Sequence, residues 1–252
     1  MDQLTQSNRL RQLLRICRRQ IDSDTEPERC RSQGETALLA LMEIAVSHAA
    51  AVQALSEKHL SFSSSALCCA RSAFESGVIA MWIGEPQLPF EREGRWIGFF
   101  RRLGKFYEEQ GEFLEIGDPG IREEMIKAFN KADSVFEKLL VAHPEIKVVG
   151  VPNVRQILKS AGYERLYAGY KSASQIVHSG PETIIRQRQK SKCADALLRI
   201  RHTEWTNACI MAGWGAAVAT YTALRRTGST LEKLKPLIDA HKRFSDALTS
   251  DE

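Results

Sequence analysis

The 252-residue sequence has no Cys-x-x-Cys pair, no glycine-rich phosphate loop, no dinucleotide fingerprint and no nucleophile elbow. Each absence removes a class of function. The six cysteines, Cys17, Cys30, Cys68, Cys69, Cys193 and Cys209, lack the spacing of a usual zinc site. Without the glycine loops there is no signature for cradling a nucleotide phosphate on backbone amides. Without the elbow there is no signature of an α/β-hydrolase. β-like sequence is scarce as well: residues 146–151, Ile-Lys-Val-Val-Gly-Val, are the single such run, and one run makes no sheet. There is no internal repeat and no low-complexity linker. Charge of one sign is in short supply, since 35 basic residues face 31 acidic ones; the net +4 permits an anionic partner without requiring one. The polar N-terminal segment does not read as a signal peptide, so a cytoplasmic protein with reduced thiols is expected.

What is present is helical periodicity. A chain with 43% hydrophobic and 26% charged residues has the composition of a soluble globular protein and the length for a full core. Apolar residues at helical spacing predict helices over 8–21, 35–59, 65–84, 90–111, 121–142, a short one capped by Asn153 and ending at Ser160, then 162–178, about 193–226 and about 230–248. The expected fold is all-α, one multihelical bundle over 35–252, with residues 1–34 as an N-terminal helix and loop. Residues 205–224 carry no charge over a bilayer-spanning length. They are built from Ala, Gly and Thr with Asn207 and two tryptophans, which suits a closely packed core helix better than a membrane span.

The stretch 65–84 is apolar or small nearly all round, the mark of a buried helix, yet it carries Arg71 and Glu75 one turn apart. Buried charges need partners, and Arg before Glu is the weaker order for an i,i+4 pair, so groups from another helix are expected beside them. On 162–178, Tyr163, Tyr167, Tyr170, Ser174 and His178 fall within about 80° of one face. Glu164, Arg165, Lys171 and Gln175 point away. If the two helices meet, Glu75 can orient the His178 imidazole and Arg71 can hold an anion. The same residues also suit a satisfied structural network, and the two readings stand side by side. Arg186, Arg188, Lys190, Lys192, Arg199 and Arg201 face only Asp195, which reads as a solvated face or as a grip on a nucleic-acid backbone. His202 and Glu204 lie on different helix faces and make a poor metal pair. The Glu-x-x-His repeats of di-iron bundles are missing. Neither a metal nor another cofactor is expected.

The segments ARSAFESGVIAMW and YKSASQIVHSGP, with Arg-x3-Glu in one helix and Tyr-x3-Ser-x3-His before a Gly/Pro turn in the other, resemble a widespread prokaryotic helical family described as a domain of unknown function. That family is similar to HEPN bundles and abortive-infection proteins. The resemblance implies a HEPN-like bundle centred on the 65–84, 162–178 and 193–226 helices. It also implies a role in antiviral defence or as a toxin with a partner protein or antitoxin, and a homodimer. A metal-independent endoribonuclease is the activity it suggests. Arg71, Glu75, Tyr170, Ser174 and His178 would then form the catalytic group. His178 would be the general acid/base and Arg71 or Lys171 would stabilise the phosphorane charge. Arg186, Arg188, Lys190 and Lys192 would hold the RNA. The chain departs from the ribonuclease pattern in one respect: HEPN nucleases place an arginine shortly before the histidine, and Lys171 stands there before His178. A non-enzymatic helical interaction module is the competing expectation.

Overall fold

A computed structural model of the chain describes residues 3–24, 32–58, 62–114, 120–177 and 194–249. These residues form nine helices and no strand: α1 (Gln3–Asp24), α2 (Gln33–Ser56), α3 (Ser63–Gly84), α4 (Pro89–Leu114), α5 (Ile121–Ala142), α6 (Val154–Ser160), α7 (Leu166–Val177), α8 (Ala194–Arg226) and α9 (Leu231–Thr249). The all-α expectation holds.

The bundle is built around the crossing of α3 and α8. Small residues recur along α3 as Ala66, Ala70, Ala73, Gly77, Ala80 and Gly84, and along α8 as Ala208, Ala212, Gly215, Ala219 and Thr222. At the centre Gly77 faces Gly215: a Cβ on Gly77 would lie 2.7 Å from both the Cα and the carbonyl oxygen of Gly215. The two backbones therefore touch, and no side chain separates them. The 205–224 segment is thus a core helix, with Trp205, Ala212 and Leu224 sealed from solvent. Helices α2 and α3 each contain a window apolar and long enough to cross a bilayer, and both contribute to this same core.

Helix α2 completes the central trio with Leu38, Met42, Ala45, Ala49 and Val52, all fully buried. This corrects the expectation that the 162–178 helix would take that place; α7 packs on the flank of α3 instead. Helix α1 lays Leu10, Leu13, Leu14 and Cys17 into the same core, and α9 adds Leu234, Leu237 and Phe244. A buried ion pair, Arg92 to Glu35 at 3.0 Å, ties the start of α4 to the start of α2. The neighbouring Glu93 accepts from the Gly34 backbone N–H at 2.9 Å.

Helices α4 and α5 form a hairpin with a small core of its own, Ile97, Phe136 and Ile146, where Phe100 stacks on Phe129 at 4.8 Å. The β-like run is an extended connection, as expected. It lies directly across α4 because Gly94 and Gly98 leave room for the Lys147 and Val149 carbonyls, and Val149 N–H donates to Gly94 O at 3.2 Å. Asn153 then caps α6 in a full capping box with Gln156, also as expected.

Three local expectations are corrected. The helix predicted to open at Gly162 begins at Leu166. Gly162, at φ +80°, is the left-handed residue that ends α6, and Gly162 N–H and Tyr163 N–H bond back to Lys159 O and Leu158 O at 3.2 and 2.7 Å. Tyr163 therefore lies off the ladder, half exposed, with its ring edge-on to Trp214 at 5.5 Å. The serine-rich stretch 61–65 reads in the sequence as a turn and cap for the central helix, but Ser63, Ser64 and Ser65 lie inside α3; Phe62 holds the cap position with no side-chain cap bond, and Ser63 Oγ donates to the buried Glu204 at 2.5 Å. Finally, α3 is not buried all round, since Cys68 is exposed.

Candidate functional site

Helix α7 docks on the flank of α3 through Ala173, which is buried, and through Tyr170, which stacks on the buried Phe74 at 5.8 Å. That contact carries the Tyr170 hydroxyl to the charged flank of α3. Tyr170 Oη donates to Glu75 Oε1 at 2.7 Å, and Arg71 Nε donates to the same oxygen at 3.0 Å. The Arg71 guanidinium carbon sits 5.6 Å from the centre of the Tyr170 ring. So the expected partner from another helix is present and is Tyr170, while the weaker-order intrahelical pair forms as well.

The electrostatics follow from the packing. Burial opposes the Arg71 charge, but Glu75 and then Tyr170 beside it outweigh burial and raise its pKa. Burial, followed by the hydrogen bond to Glu75 and its charge, pushes the Tyr170 phenol up to about 12, against the opposing effect of Arg71. At neutral pH Tyr170 is therefore a fixed hydrogen-bond donor, and Arg71 is a fixed cation.

The cluster is not sealed. It lines one wall of a cleft of about 750 Å³ bounded by α2, α3, α4, α7 and residues 152–155. The side-chain exposures of Arg71 and Glu75, 19% and 37%, agree with a group facing an opening. Two further arginines line the cleft, Arg102 from α4 and Arg155 from α6, along with Tyr167, Phe99 and the apolar side chains of Leu41, Ile44 and Ile79. Arg155 is paired with Glu164 at 3.0 Å and sits 5.8 Å over the Tyr167 ring centre. Among the described lining residues, three guanidinium groups meet one carboxylate. Such a wall favours a ligand that combines negative charge with a flat ring or apolar part.

Of the sequence-derived residues, the structure brings Arg71, Glu75 and Tyr170 together. Ser174 lies one turn further along α7, half-buried and off the cleft wall; Lys171 is exposed and also off it. His178, Arg186, Arg188, Lys190 and Lys192 lie outside the described residues. Sequence reasoning missed Arg102 and Arg155. Arg102 adjoins Arg101, which is occupied by Asp133 at 2.7 Å and by Glu137, so only the second of the pair faces the cleft. Among the described residues no cluster of three or more His, Cys, Asp or Glu could hold a metal. Glu204 is committed to Ser63 and is structural.

A family model described as "Family of unknown function (DUF5677)" matches residues 35–192, more than half of the chain. The match runs from the start of α2 past the end of α7, so every described wall of the cleft lies inside it. No curated protein and no solved structure matches the chain.

Proposed function

We propose that this chain, which belongs to the DUF5677 family of unknown function, is a defence- or toxin-type helical protein whose cleft receives RNA. One observation carries the reading: the Arg71–Glu75–Tyr170 cluster opens onto a cleft with an excess of arginine and several aromatic rings. Guanidinium groups match phosphate geometry, and bases stack on aromatic side chains whatever their sequence. Glu75 and Tyr170 hold Arg71 in place, and Arg102 and Arg155 add charge that needs no deep burial. Cleavage is the stronger form of the proposal. It calls for a proton-transfer group, for which the sequence offers His178, with Glu75 to orient it and the basic run from Arg186 to grip the strand. The competing reading, a non-enzymatic interaction module, draws on the mutual hydrogen bonds of the three residues, which suit a structural network equally well.

The test is expression of the wild type, Arg102→Glu and His178→Ala in a bacterial host, with total RNA examined. The purified proteins are also titrated with single-stranded RNA at two salt concentrations. The proposal expects salt-dependent binding that Arg102→Glu weakens. If RNA is cut, growth arrest and fragments should appear with wild type and vanish with His178→Ala. Intact RNA, equal growth and no binding by folded wild type would overturn it in favour of the interaction module.

A further inference from the structure

Residues 154–167 assemble a three-residue contact at one end of the arginine cleft. The capping box starts α6 after Asn153 and places Arg155 in its first turn. Gly162 then turns the chain, and Tyr167 N–H donates to the Glu164 carbonyl at 3.0 Å, so Glu164 and Tyr167 share the turn that opens α7. Arg155 reaches both. Its Nε and Nη2 donate to one oxygen of the Glu164 carboxylate, at 3.2 and 3.0 Å, and its guanidinium carbon lies 5.8 Å from the centre of the Tyr167 ring. Arg155 and Tyr167 line the cleft, whereas Glu164 lines a separate groove toward α8 and α9. The carboxylate therefore holds Arg155 from outside the cleft.

The Tyr167 ring continues the contact along the wall. Its centre is 5.9 Å from that of Tyr170, and the Tyr170 ring is 5.6 Å from the Arg71 guanidinium carbon. The wall thus carries a row, Arg155–Tyr167–Tyr170–Arg71, with a cation at each end and two aromatic rings between. This alternation suits a single strand, whose phosphates bracket bases that stack on aromatic side chains. The two cations are held differently. Arg71 shares its acceptor, Glu75, with Tyr170 in a part-buried contact between two helices. Arg155 and Glu164 keep 62% and 44% of their side chains exposed, and a pair so exposed contributes little because water and salt screen it. A phosphate offers the same guanidinium edge an equivalent anionic acceptor.

We propose that this row is the strand track of the cleft and that Glu164 is a built-in competitor for the RNA phosphate at Arg155. The inference rests on the RNA reading and adds where the strand lies and what opposes it. One phosphate takes the Arg155 edge from Glu164, a base stacks on Tyr167, and a second phosphate sits at Arg71.

The test titrates the full chain with a labelled single-stranded RNA decamer, following fluorescence anisotropy, with the melting temperature as the check on folding. Glu164→Gln removes the competitor and should tighten binding by up to about fivefold, the worth of an exposed ion pair. Arg155→Ala should weaken binding, and in that background Glu164→Gln should change nothing, since no cation remains to be released. Tyr167→Leu should weaken binding at least about fivefold through loss of stacking, while Tyr167→Phe keeps the wild-type affinity. Binding by wild type that Arg102→Glu weakens but Glu164→Gln leaves unchanged would overturn the competitor and leave the RNA reading standing. So would a gain from Glu164→Gln that persists without Arg155, because it would reflect only the loss of a negative charge. Wild-type affinity in a folded Tyr167→Leu protein would overturn the strand track. No binding by folded wild type overturns both this inference and the RNA reading. Glu164 is exposed, so its variant keeps the proposal open to refutation even if Tyr167→Leu fails to fold.

Discussion

Replacing Gly77 by alanine tests the crossing on which the position of Arg71 and Glu75 depends. The added methyl would lie 2.7 Å from the Gly215 Cα and carbonyl oxygen and 3.1 Å from its carbonyl carbon. Carbon atoms rest about 3.5–4.0 Å apart, so α3 and α8 must separate by roughly 1 Å. The obstacle is backbone and cannot swing aside. Overpacking costs about 1–3 kcal/mol, and this case belongs at the upper end. Alanine returns about 1 kcal/mol of helix propensity relative to glycine. The net loss is about 2 kcal/mol, which in a chain of this size lowers the melting temperature by about 4–8 °C. Gly169 supplies the contrast. It too lies inside a helix, α7, but a Cβ there meets nothing within 4 Å. Gly169→Ala should therefore gain about 0.5–1 kcal/mol and raise the melting temperature by about 1–4 °C. Thermal and urea unfolding of the two variants beside the wild type decide the matter. A Gly77→Ala protein as stable as wild type would refute the backbone contact and, with it, the argument for how α3 is held.

Three further outcomes are expected. Tyr170→Phe removes the hydrogen bond to Glu75 at a half-exposed position, so unfolding should show a loss of no more than about 1 kcal/mol. RNA affinity should fall by clearly more than that stability change, and a loss confined to stability would favour the structural network. Arg92→Ala removes the buried ion pair with Glu35 and the hydrogen bonds to the Pro86 and Gln87 carbonyls, and should cost about 3–5 kcal/mol by denaturant titration, with a near-silent effect counting against the burial of this pair. His241 has its pKa lowered by burial, so below about pH 6.5 the unfolded chain binds a proton that the folded chain refuses. Stability should drop as the pH falls through that range, and His241→Gln should flatten the profile between about pH 7 and 5; an unchanged slope in the variant would assign the acid sensitivity to other groups.

Most helices were legible because their apolar residues recur at a helical period over several turns. The stripe of small residues on α3 and the plain Ala/Gly/Thr surface of α8 even point to the tight crossing. Periodicity says which face turns inward, but not which helix meets it. Both α2 and the tyrosine helix have inward faces. The distinction lies in width: α2 buries Leu38, Met42, Ala45, Ala49 and Val52 with no polar interruption, whereas the α7 stripe alternates tyrosine and serine and can serve only at an edge. The start of α7 was misread for a local reason that the sequence does contain. Gly162 follows a capped seven-residue helix and is its left-handed terminator, so Tyr163 is released from the ladder and turned toward Trp214.

The cleft was harder to foresee because its arginines reach it by an indirect route. Gly94 and Gly98, one turn apart on α4, let the extended run of residues 146–151 lie flat across that helix. That crossing delivers the chain to Asn153, whose capping box starts α6 with Arg155 in its first turn. Arg102 is placed at the same cleft by the α4 helix that carries those glycines. The same pair of glycines thus sets both the path that brings in Arg155 and the helix that presents Arg102. Filling Gly94 or Gly98 with a methyl group should therefore displace the connection and open the arginine side of the cleft, while leaving the Arg71–Glu75–Tyr170 contact, which depends on α3 and α7 alone, in place.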